Sequence, residues 1–426
     1  PADGVVEAGN GPGVGRGGIN WNGVLYRVMG TKLVYIAEDN TVTEIGDVGG
    51  TDRVTFDYGF TYLAIASNNN LFLYDGTTLT QVTDPDLGVV LDVVWVDGYY
   101  MTTDGEFLVI TDLADPFAVN PLKYGSSEAD PDPINALLKL RNEVYALNRY
   151  TIEVFDNVGT TGFPFQRIAG AQIQKGAVGT HACCVFMDNI AFMGGGRNEA
   201  PSIFMGANGS TQKIATREIE QILATYTETQ LATAFLEERI DKAHQFLITH
   251  LPNHTLVFDG AATQAMGQPV WFTLSSTLTG DSQWKAQSVI WVYDKWQVYN
   301  PTNTQFGYLD DSISSHWGAD IGWEFGTQIT YNESNGAIFH QLELVALTGH
   351  VAADTSPTIW AQHSTDGETW SVEKPVRAGT LGQRAKRLVW LQQGYMNNWR
   401  IQRFRGTSDA HISISRLEAR LEPLAF

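Results

Sequence analysis

The sequence predicts an all-β protein in which a β-propeller-like domain of six or seven blades, with a short helical insertion, is followed by a β-sandwich. Two observations lead to this fold class. Glycine is abundant, at 42 residues, and 48 residues are aromatic, a combination that is typical of short strands joined by tight turns. A degenerate pattern of apolar runs around polar turns also recurs at about 45–55 residues, close to the roughly 40–50 residues that separate four-stranded propeller blades.

The repeat is marked by polar turns, each of which separates two apolar runs. Most turn-to-turn spacings fit one blade, and one spacing is clearly shorter. Radial repetition suits strands this short, because it leaves few open sheet edges. Stacked sandwiches are the alternative fold. The predicted turns lie at Asn22–Gly23, Asn68–Asn70, Asp97–Gly98, Arg141–Asn142, Asp188–Asn189, Asp241–His244 and Asp294–Lys295.

Three segments follow from these patterns. Residues 1–18 are rich in glycine and are predicted to form an N-terminal loop, and residues 19–315 are predicted to form the propeller-like domain. Residues 316–426 show a clean alternation of apolar and polar residues, which predicts a C-terminal β-sandwich. The alternation changes phase between Ile412–Ile414 and Leu417–Leu421, and such a change predicts a β-bulge.

One segment, at about residues 214–233, is predicted to be helical. Ile219, Ile222, Leu223 and Tyr226 are spaced as one face of a helix. Thr216 is a predicted N-cap of this helix. Residues 227–230 read Thr-Glu-Thr-Gln, which predicts a capping box at the start of a second short helix.

The net charge of −20 disfavours general adhesion to nucleic acid or to anionic membranes. The charge is uneven, because residues 1–130 hold 19 acidic and 5 basic side chains, whereas residues 374–422 hold 10 basic ones. This distribution favours two domains with different partners; an ordinary inequality of strand-surface charge is the alternative. No apolar run of 18 residues occurs, so the sequence predicts no insertion of its own into a membrane.

Several short segments occur in a characteristic order along residues 13–260. The main ones are Gln174–Gly176, Gly179–Thr180, Ile214–Thr216, Ile219–Glu220, His250–Pro252 and Val257–Asp259, with Val24–Val28, Gly46–Gly49 and Thr111–Leu113 upstream. This ordered set resembles the tail-hub proteins of short-tailed, podovirus-type bacteriophages, which are also called packaged-DNA stabilization proteins. The family has several tens of residues before the position that matches Pro1, so we expect a further upstream segment.

The resemblance implies a structural virion protein without enzymatic activity or cofactor. It implies a ring, typically of six copies, below the portal and the adaptor (the head-to-tail connector). This ring would extend the DNA channel, retain the packaged genome, and anchor tailspikes or tail fibres and a plug or needle. Genomic DNA would pass through the lumen without sequence-specific binding. The chain would assemble in the host cytoplasm and reside in the phage tail.

A glycan-binding or glycan-hydrolysing propeller is the rival function. Glu237 and Glu238 could supply the carboxylate pair of a glycosidase. Neighbouring residues of a strand point to opposite faces, however, so we interpret this pair as solvated. Residues 364–370 resemble the Asp box of sialidase-like propellers but are one residue short, and we predict a hairpin turn closed by Asp366 and Gly367.

The sequence predicts no metal site. His250 and His254 lie four residues apart, a spacing that can hold zinc on a helix. Pro252 and Asn253 between them predict a turn, and no third ligand is evident. The remaining candidate sites are therefore contacts with other protein molecules during assembly.

Two groups of polar residues are predicted to take part in assembly. The first is the polar face of the predicted helix, where Arg217, Glu220 and Gln221 would face a neighbouring molecule. The second is the basic C-terminal region, where we expect docking to another tail component. Its basic residues include Arg384, Lys386, Arg387, Arg400, Arg403 and Arg405, of which Arg400, Arg403 and Arg405 are the predicted interface residues. Cross-strand pairing of these arginines with glutamates is the alternative interpretation.

Overall fold

The computed structural model describes residues 3–313, 315–333, 335–351, 353, 355–407 and 410–424. It divides into two compact units. The propeller unit comprises Ala8–Leu274 and Gln283–Tyr308, and the sandwich unit comprises Pro1–Glu7, Ser275–Ser282 and Leu309–Phe426. No helix among the described residues has both the length and the apolar character that crossing a membrane requires.

Seven antiparallel sheets, the blades, follow one another along the part of the chain that the structure describes. The first strand of the chain, β1 (Gly4–Asn10), belongs to the last blade. Blade 1 consists of β2 (Gly15–Trp21), β3 (Val24–Met29), β4 (Lys32–Ile36) and β5 (Val42–Asp47). Blade 2 consists of β6 (Thr55–Tyr58), β7 (Leu63–Ser67), β8 (Asn70–Tyr74) and β9 (Leu79–Gln81). Blade 3 consists of β10 (Asp92–Val96), β11 (Tyr99–Thr103), β12 (Phe107–Thr111) and β13 (Val119–Ser126).

Among the described residues, blade 5 has five strands, whereas blades 4, 6 and 7 have four each. Blade 4 consists of β14 (Ile134–Leu140), β15 (Glu143–Asn148), β16 (Ile152–Asn157) and β17 (Phe165–Arg167), and blade 5 consists of β18 (Gly176–Ala177), β19 (Cys183–Phe186), β20 (Asn189–Gly195), β21 (Ser202–Ala207) and β22 (Ser210–Lys213). Blade 6 consists of β23 (Phe235–Asp241), β24 (His244–His250), β25 (Thr255–Asp259) and β26 (Trp271–Leu274). Blade 7 consists of β27 (Gln287–Val292), β28 (Lys295–Tyr299) and β29 (Gln305–Asp310), and β1 completes it.

The blades close into a ring. The innermost strands β2, β6, β10, β14, β19, β23 and β27 each contact the innermost strand of the next blade, and β27 contacts β2 again. The predicted β-propeller is therefore confirmed, with seven blades. The one short turn spacing has a simple cause. The turn at Asn68–Asn69 joins the second and third strands of blade 2, whereas the other predicted turns join first and second strands.

Acidic side chains of the innermost strands link neighbouring blades by accepting hydrogen bonds from backbone amides. The Asp57 carboxylate accepts from Trp95 N (2.5 Å), and the Asp92 carboxylate accepts from Leu137 N (2.7 Å). Glu237 accepts from Val289 N (2.8 Å) in the same way. Because a carboxylate accepts several strong hydrogen bonds, these side chains satisfy backbone groups that the blades cannot pair internally.

Three further junctions are linked by side chains that donate to backbone carbonyls. Asn20 Nδ2 donates to Trp291 O (2.8 Å) and Asn135 Nδ2 donates to Ala177 O (2.8 Å). Arg16 of blade 1 donates from Nε to Asp52 O (2.5 Å), just before blade 2. Each of these bonds crosses from one blade to the next, so the ring is held by polar side chains as well as by apolar packing.

The prediction of an N-terminal loop over residues 1–18 is wrong, because β1 and β2 occupy most of this segment. Its glycines mark close packing. A Cβ added at Gly15 would lie 2.4 Å from the Tyr299 ring, and one at Gly9 would lie 2.9 Å from the Phe306 ring. Glycine is needed where a strand approaches another group this closely.

The predicted helical segment contains α1 (Arg217–Leu223) and α2 (Glu228–Leu231), which connect blade 5 to blade 6. The capping box at Thr227 is confirmed. Thr216 occupies the N-cap of α1, but its side chain makes no capping hydrogen bond. A further helix, α3 (Gly260–Met266), was not predicted. Asp259 caps this helix by accepting from Ala262 N (3.0 Å).

The sandwich unit contains two sheets. The first is formed by β30 (Gly322–Gly326), β31 (Thr330–Tyr331), β33 (Thr358–Ser364), β34 (Lys374–Arg377) and β37 (Trp399–Thr407), and the second by β32 (Ala337–Val351), β35 (Leu388–Leu391), β36 (Tyr395–Met396) and β38 (Ala410–Pro423). Their inner faces share one apolar core, in which Phe404 of the first sheet contacts Trp390 of the second. The predicted β-sandwich is thereby confirmed.

The predicted change of phase in the last strand is confirmed. Between β32 and β38 the register shifts from Val345 opposite Arg416 to Ala346 opposite Ile414, so Ser415 is the extra residue. This bulge reverses the phase of the apolar–polar alternation, because one added residue moves every later side chain to the other face of the strand.

The closing blade should be essential to the stability of the propeller. Phe306 is buried in the cluster between blades 7 and 1. We expect Phe306→Ala to lower the free energy of unfolding by about 3–5 kcal/mol, because it opens a cavity in this cluster. The matched control is Phe60→Ala, since the side chain of Phe60 is 95% exposed. Denaturant titrations of both variants check this, and equal losses would contradict the importance of the closing blade.

Candidate assembly surface

The helix α1 is amphipathic, and its apolar face is buried. Ile219 and Leu223 pack into the core cluster of blades 5 and 6, and Ile222 packs against that cluster. The opposite face of the helix is polar. Arg217 and Gln221 on that face are exposed. The predicted helical periodicity therefore gives the correct buried and exposed residues.

A cleft of about 800 Å³ lies along the polar face of α1. Its walls come from blade 5, α1 and α2, and all three predicted assembly residues of the helix line it. The lining combines three basic and three acidic side chains with apolar ones: Lys175, Lys213 and Arg217; Glu199, Glu220 and Glu228; and Phe204, Leu223, Tyr226 and Leu231 among the rest. The charges of the cleft therefore balance.

Glu220 is held by its own chain. Its carboxylate accepts hydrogen bonds from Lys213 Nζ (2.7 Å) and Ser202 Oγ (2.9 Å), and these bonds lower the pKa of Glu220 below its usual value. Lys175 and Glu199 form a second ion pair in the cleft. Arg217, by contrast, makes no ion pair with the described residues. Of the three predicted residues, Arg217 and Gln221 are therefore the most exposed, and all three line the cleft.

The predicted basic group in the sandwich unit divides between two faces of β37. The strand alternates strictly between buried and half-buried residues, so Arg400 faces the core while Arg403 and Arg405 face outward. Arg400 donates to Gln393 O (2.6 Å) and its guanidinium lies over the Phe339 ring. Burial lowers the pKa of Arg400 to about 10.

The expectation that Arg400 takes part in docking is corrected, since its side chain is buried. Residues 400 and 403 differ by an odd number, and side chains alternate along a strand, so the sequence pattern already contained this signal. Arg405 forms a bidentate pair with Glu373 (2.5 and 2.6 Å). Arg403 donates to Gln362 Oε1 (3.1 Å) and pairs with Glu324 (3.4 Å). Both arginines remain on the outer face.

The interpretation of Glu237 and Glu238 as a solvated pair is wrong for Glu237. This residue lies near the centre of the propeller, where His250 Nε2 and the Glu237 carboxylate are 2.7 Å apart. Burial would raise the pKa of Glu237, but the His250 hydrogen bond and the nearby Arg53 charge hold that pKa below its usual value. Glu238 points elsewhere and accepts from Met187 N (3.4 Å).

Arg53 connects several blades at the centre of the ring. Its guanidinium lies 3.2 Å from the centroid of the Phe235 ring of blade 6 and donates to the Tyr299 hydroxyl of blade 7 (3.1 Å). Arg53 itself precedes blade 2. One side chain from the segment that enters blade 2 therefore reaches both blade 6 and blade 7.

The two histidines proposed and rejected as zinc ligands have different partners. His250 bonds to Glu237, whereas His254 Nδ1 bonds to the Tyr226 hydroxyl. Within the described residues, no group of three or more His, Cys, Asp or Glu side chains has a geometry that could hold a metal ion.

Asp366 accepts from Glu368 N (2.9 Å) and Thr369 N (2.8 Å), as the predicted turn requires.

Comparison with known proteins agrees with this architecture. A family model described as "Bacteriophage P22 Gp10, beta-propeller" matches residues 1–314, and one described as "Bacteriophage P22 Gp10, beta-sandwich" matches residues 322–422. The chain belongs to the bacteriophage P22 Gp10 family. The tail hub protein gp10 of Salmonella phage P22 is 29% identical over 439 residues, which cover 96% of this chain and 88% of that protein. The predicted resemblance is confirmed, and the chain is a structural component of a phage tail hub.

The similarities to solved structures are much more distant. PorZ of Porphyromonas gingivalis is 11% identical, with a TM-score of 0.43, over 73% of this chain and 38% of that chain. The N-terminal domain of Nup159 is 9% identical, with a TM-score of 0.44, over 72% of this chain and 95% of that chain. Likenesses this low carry no argument about the role of the P22 Gp10 family member.

The buried His250 should make the propeller sensitive to acid. Burial lowers the pKa of His250 below its ordinary value of 6.5 despite the Glu237 bond. Below pH 6.5, His250 is therefore protonated in the unfolded chain but stays neutral in the folded chain. The free energy of unfolding consequently falls as the pH falls. Between pH 7 and pH 5 the wild type should lose unfolding free energy, and we expect His250→Gln to reduce that loss by at most about 2 kcal/mol.

Denaturant titrations at several pH values measure this difference. The pKa of Glu237 lies below its usual 4.5, so Glu237 titrates outside the pH window. His316, whose pKa burial lowers to about 4, is present in both proteins and cancels in the comparison. Parallel pH profiles of the wild type and the variant would contradict the assignment of acid sensitivity to His250.

Proposed function

We propose that this tail-hub chain forms a ring of six copies below the portal and the adaptor. The ring extends the DNA channel, retains the packaged genome, and anchors tailspikes or fibres and a plug or needle. Membership of the P22 Gp10 family, with tail hub protein gp10 as a relative over 96% of the chain, is the observation that carries this proposal. The chain acts as a structural part and catalyses no reaction.

The charge of the chain supports passage of DNA through such a ring. Each copy carries −20, so six copies carry about −120. Acidic walls repel the DNA phosphates and prevent adhesion, as required for a conduit. Retention of the genome must then come from a steric plug. Since Arg53 joins the entry of blade 2 to blades 6 and 7, the proposed DNA path runs between copies and not through a propeller.

The polar face of α1 is the proposed contact between neighbouring copies. Its buried face is fixed by the core of blades 5 and 6, so the exposed face is presented at a defined position. Arg217 is free of ion pairs with the described residues, and Gln221 lies one turn further along the exposed face. Glu220 contributes indirectly, because its bonds to Lys213 and Ser202 fix the wall of the cleft.

Arg217 should control ring assembly without affecting the fold. We expect Arg217→Glu to change the free energy of unfolding by less than about 0.5 kcal/mol, because this surface residue makes no buried contact. The fraction of protein in rings should fall, since a cation at the contact becomes an anion. Sedimentation velocity and negative-stain images with portal and adaptor measure this fraction.

The matched control is Arg141→Glu, which makes the same charge change at an exposed turn of blade 4. The control should assemble like the wild type. If Arg217→Glu assembles into rings like the control, or if it unfolds the monomer, the assembly assignment of α1 is wrong.

The outer face of β37 is the proposed docking surface for another tail component. Arg403 and Arg405 lie side by side on this face, over Trp370 and Trp360 respectively. Arginine held on an aromatic ring is preorganised for polar contacts and loses little side-chain entropy on binding. Adaptor and tailspike are the partners that we propose for this surface.

Reversal of both outer arginines should slow docking. We expect Arg403→Glu with Arg405→Glu to reduce the rate of incorporation into tails, and to do so more strongly as salt is lowered, because rim charges act mainly on association. The control is Arg384→Glu with Lys386→Glu, which changes the net charge equally at exposed sites of the sandwich unit. Association rates measured at several salt concentrations compare the two variants.

Equal slowing by both variants would contradict a specific role of Arg403 and Arg405. Duplex DNA should bind the purified chain no more tightly than roughly 10⁻⁴ M at physiological salt, the weak end of non-specific affinity. Sub-micromolar DNA binding that the Arg403 and Arg405 reversals abolish would reassign this surface to the DNA channel.

A glycan-binding propeller is the second candidate, and one observation favours it. The exposed ring of Phe60 meets Trp95 edge to face, with centroids 5.3 Å apart. Sugars bind on aromatic rings of this kind, and the Lys139 ammonium lies 5.0 Å from the Trp95 ring. A glycan array probed with the wild type and with Phe60→Ala separates this candidate from the structural role.

A further inference from the structure

The last strand of the sandwich is a long open edge. β38 pairs with β32 along most of its length and with no other strand among the described residues. The side chains of residues 413–423 are exposed, apart from the half-buried Leu417. An uncovered edge of this length presents a row of backbone donors and acceptors, which proteins usually shorten, bend or cover.

The outer face of this edge carries charges of alternating sign. Arg416, Glu418, Arg420 and Glu422 follow one another at every second residue, so they lie on one face. The register opposite β32 identifies the other face, because Leu417 and Ala419 lie opposite Leu344 and Leu342, which are buried in the sandwich core. The charged row therefore faces away from that core.

We propose that β38 pairs with β38 of a second copy, antiparallel, about a two-fold axis at Ala419. In this register Arg416 lies opposite Glu422 of the other copy, and Glu418 lies opposite Arg420. The axis repeats both pairs, so four opposite-charge pairs form along the edge. Opposite charges directly across strands stabilise a sheet, whereas like charges destabilise it.

The charge pattern selects this register against its neighbours. A slip of two residues places Arg416 opposite Arg420, and Glu418 opposite its own copy. Parallel pairing in register also places each charge opposite the same charge. A slip of one residue exchanges the two faces of the strand and brings charges against the apolar row. A slip of four residues also sets opposite charges against each other, but forms two pairs instead of four, so the register at Ala419 forms the most opposite-charge pairs.

The inner face of the edge is compatible with the same axis. Leu417 would lie opposite Leu421 of the second copy, and Ala419 opposite Ala419. Leu421 is 41% exposed in the single chain, and pairing would cover it. The internal contacts that must change are weak, because the Arg416–Glu418 pair and the His340–Glu422 pair both lie in solvent.

This contact is independent of the proposed ring. A two-fold contact is complete with two copies, whereas a closed ring of six needs a different, head-to-tail contact between neighbours. The edge therefore assigns a dimer to the free chain, or a link between two rings. Its partner is a second copy of this chain, because the charge row is complementary to itself.

A charge-swap experiment tests the proposal. The acidic variant is Arg416→Glu with Arg420→Glu, and the basic variant is Glu418→Arg with Glu422→Arg. Each variant makes the row uniform in sign, so we expect each to dimerise at least roughly tenfold more weakly than the wild type. An equimolar mixture should recover the dimer as a heterodimer, because four opposite-charge pairs form again.

Sedimentation equilibrium measures the dissociation constant of each sample. Arg384→Glu with Lys386→Glu changes the net charge as much as the acidic variant does and should dimerise like the wild type. Circular dichroism of each variant checks that the sandwich is folded, and the recovery in the mixture itself requires folded edges. A monomeric wild type, dimers that resist both reversals, or a mixture that stays monomeric would each overturn the proposal.

Discussion

Closure of the blade ring is the constraint on which the propeller depends. A propeller cannot close unless its last blade is completed, and here the strand that completes it comes from the beginning of the chain. β1 pairs with β29, so blade 7 contains strands from both ends of the propeller sequence. Closure of this kind joins distant segments and removes an open sheet edge. The glycines of the first residues follow from it, because β1 and β2 pack closely against Phe306 and Tyr299.

Polar side chains contribute to closure together with apolar packing. The blade junctions contain side chains such as Asp92 and Glu237, whose carboxylates accept backbone amides of the next blade. Burial raises the pKa of Asp92 to about 7, in spite of these hydrogen bonds. A folded-state pKa above the unfolded value means that stability is lost as pH rises from about 4 towards 7. Asp92 and His250 therefore oppose each other in their dependence on pH.

The two units use charge differently. In the propeller unit, acidic groups of the innermost strands hold neighbouring blades together. In the sandwich unit, arginines are paired across the outer face, as with Arg405 and Glu373, or buried over a ring, as with Arg400 and Phe339. The cluster of basic residues in the C-terminal sequence is thus partly structural. What remains for partners is the outer face of β37, the polar face of α1 and the open edge of β38.

Local patterns in the sequence determined the fold class, the capping box at Thr227, the bulge near Ser415 and the exposed face of α1. Each depends on neighbouring residues, through helical or strand periodicity and turn chemistry. The tertiary structure alone decided the role of the first strand, the burial of Glu237 and the helix after Asp259. Glu237 is buried because His250, Val289 and Arg53 surround it, and those partners come from three different blades. The sequence determined which faces of each element are polar, and only the closed ring decided which polar groups meet one another, because their partners are far apart in the chain.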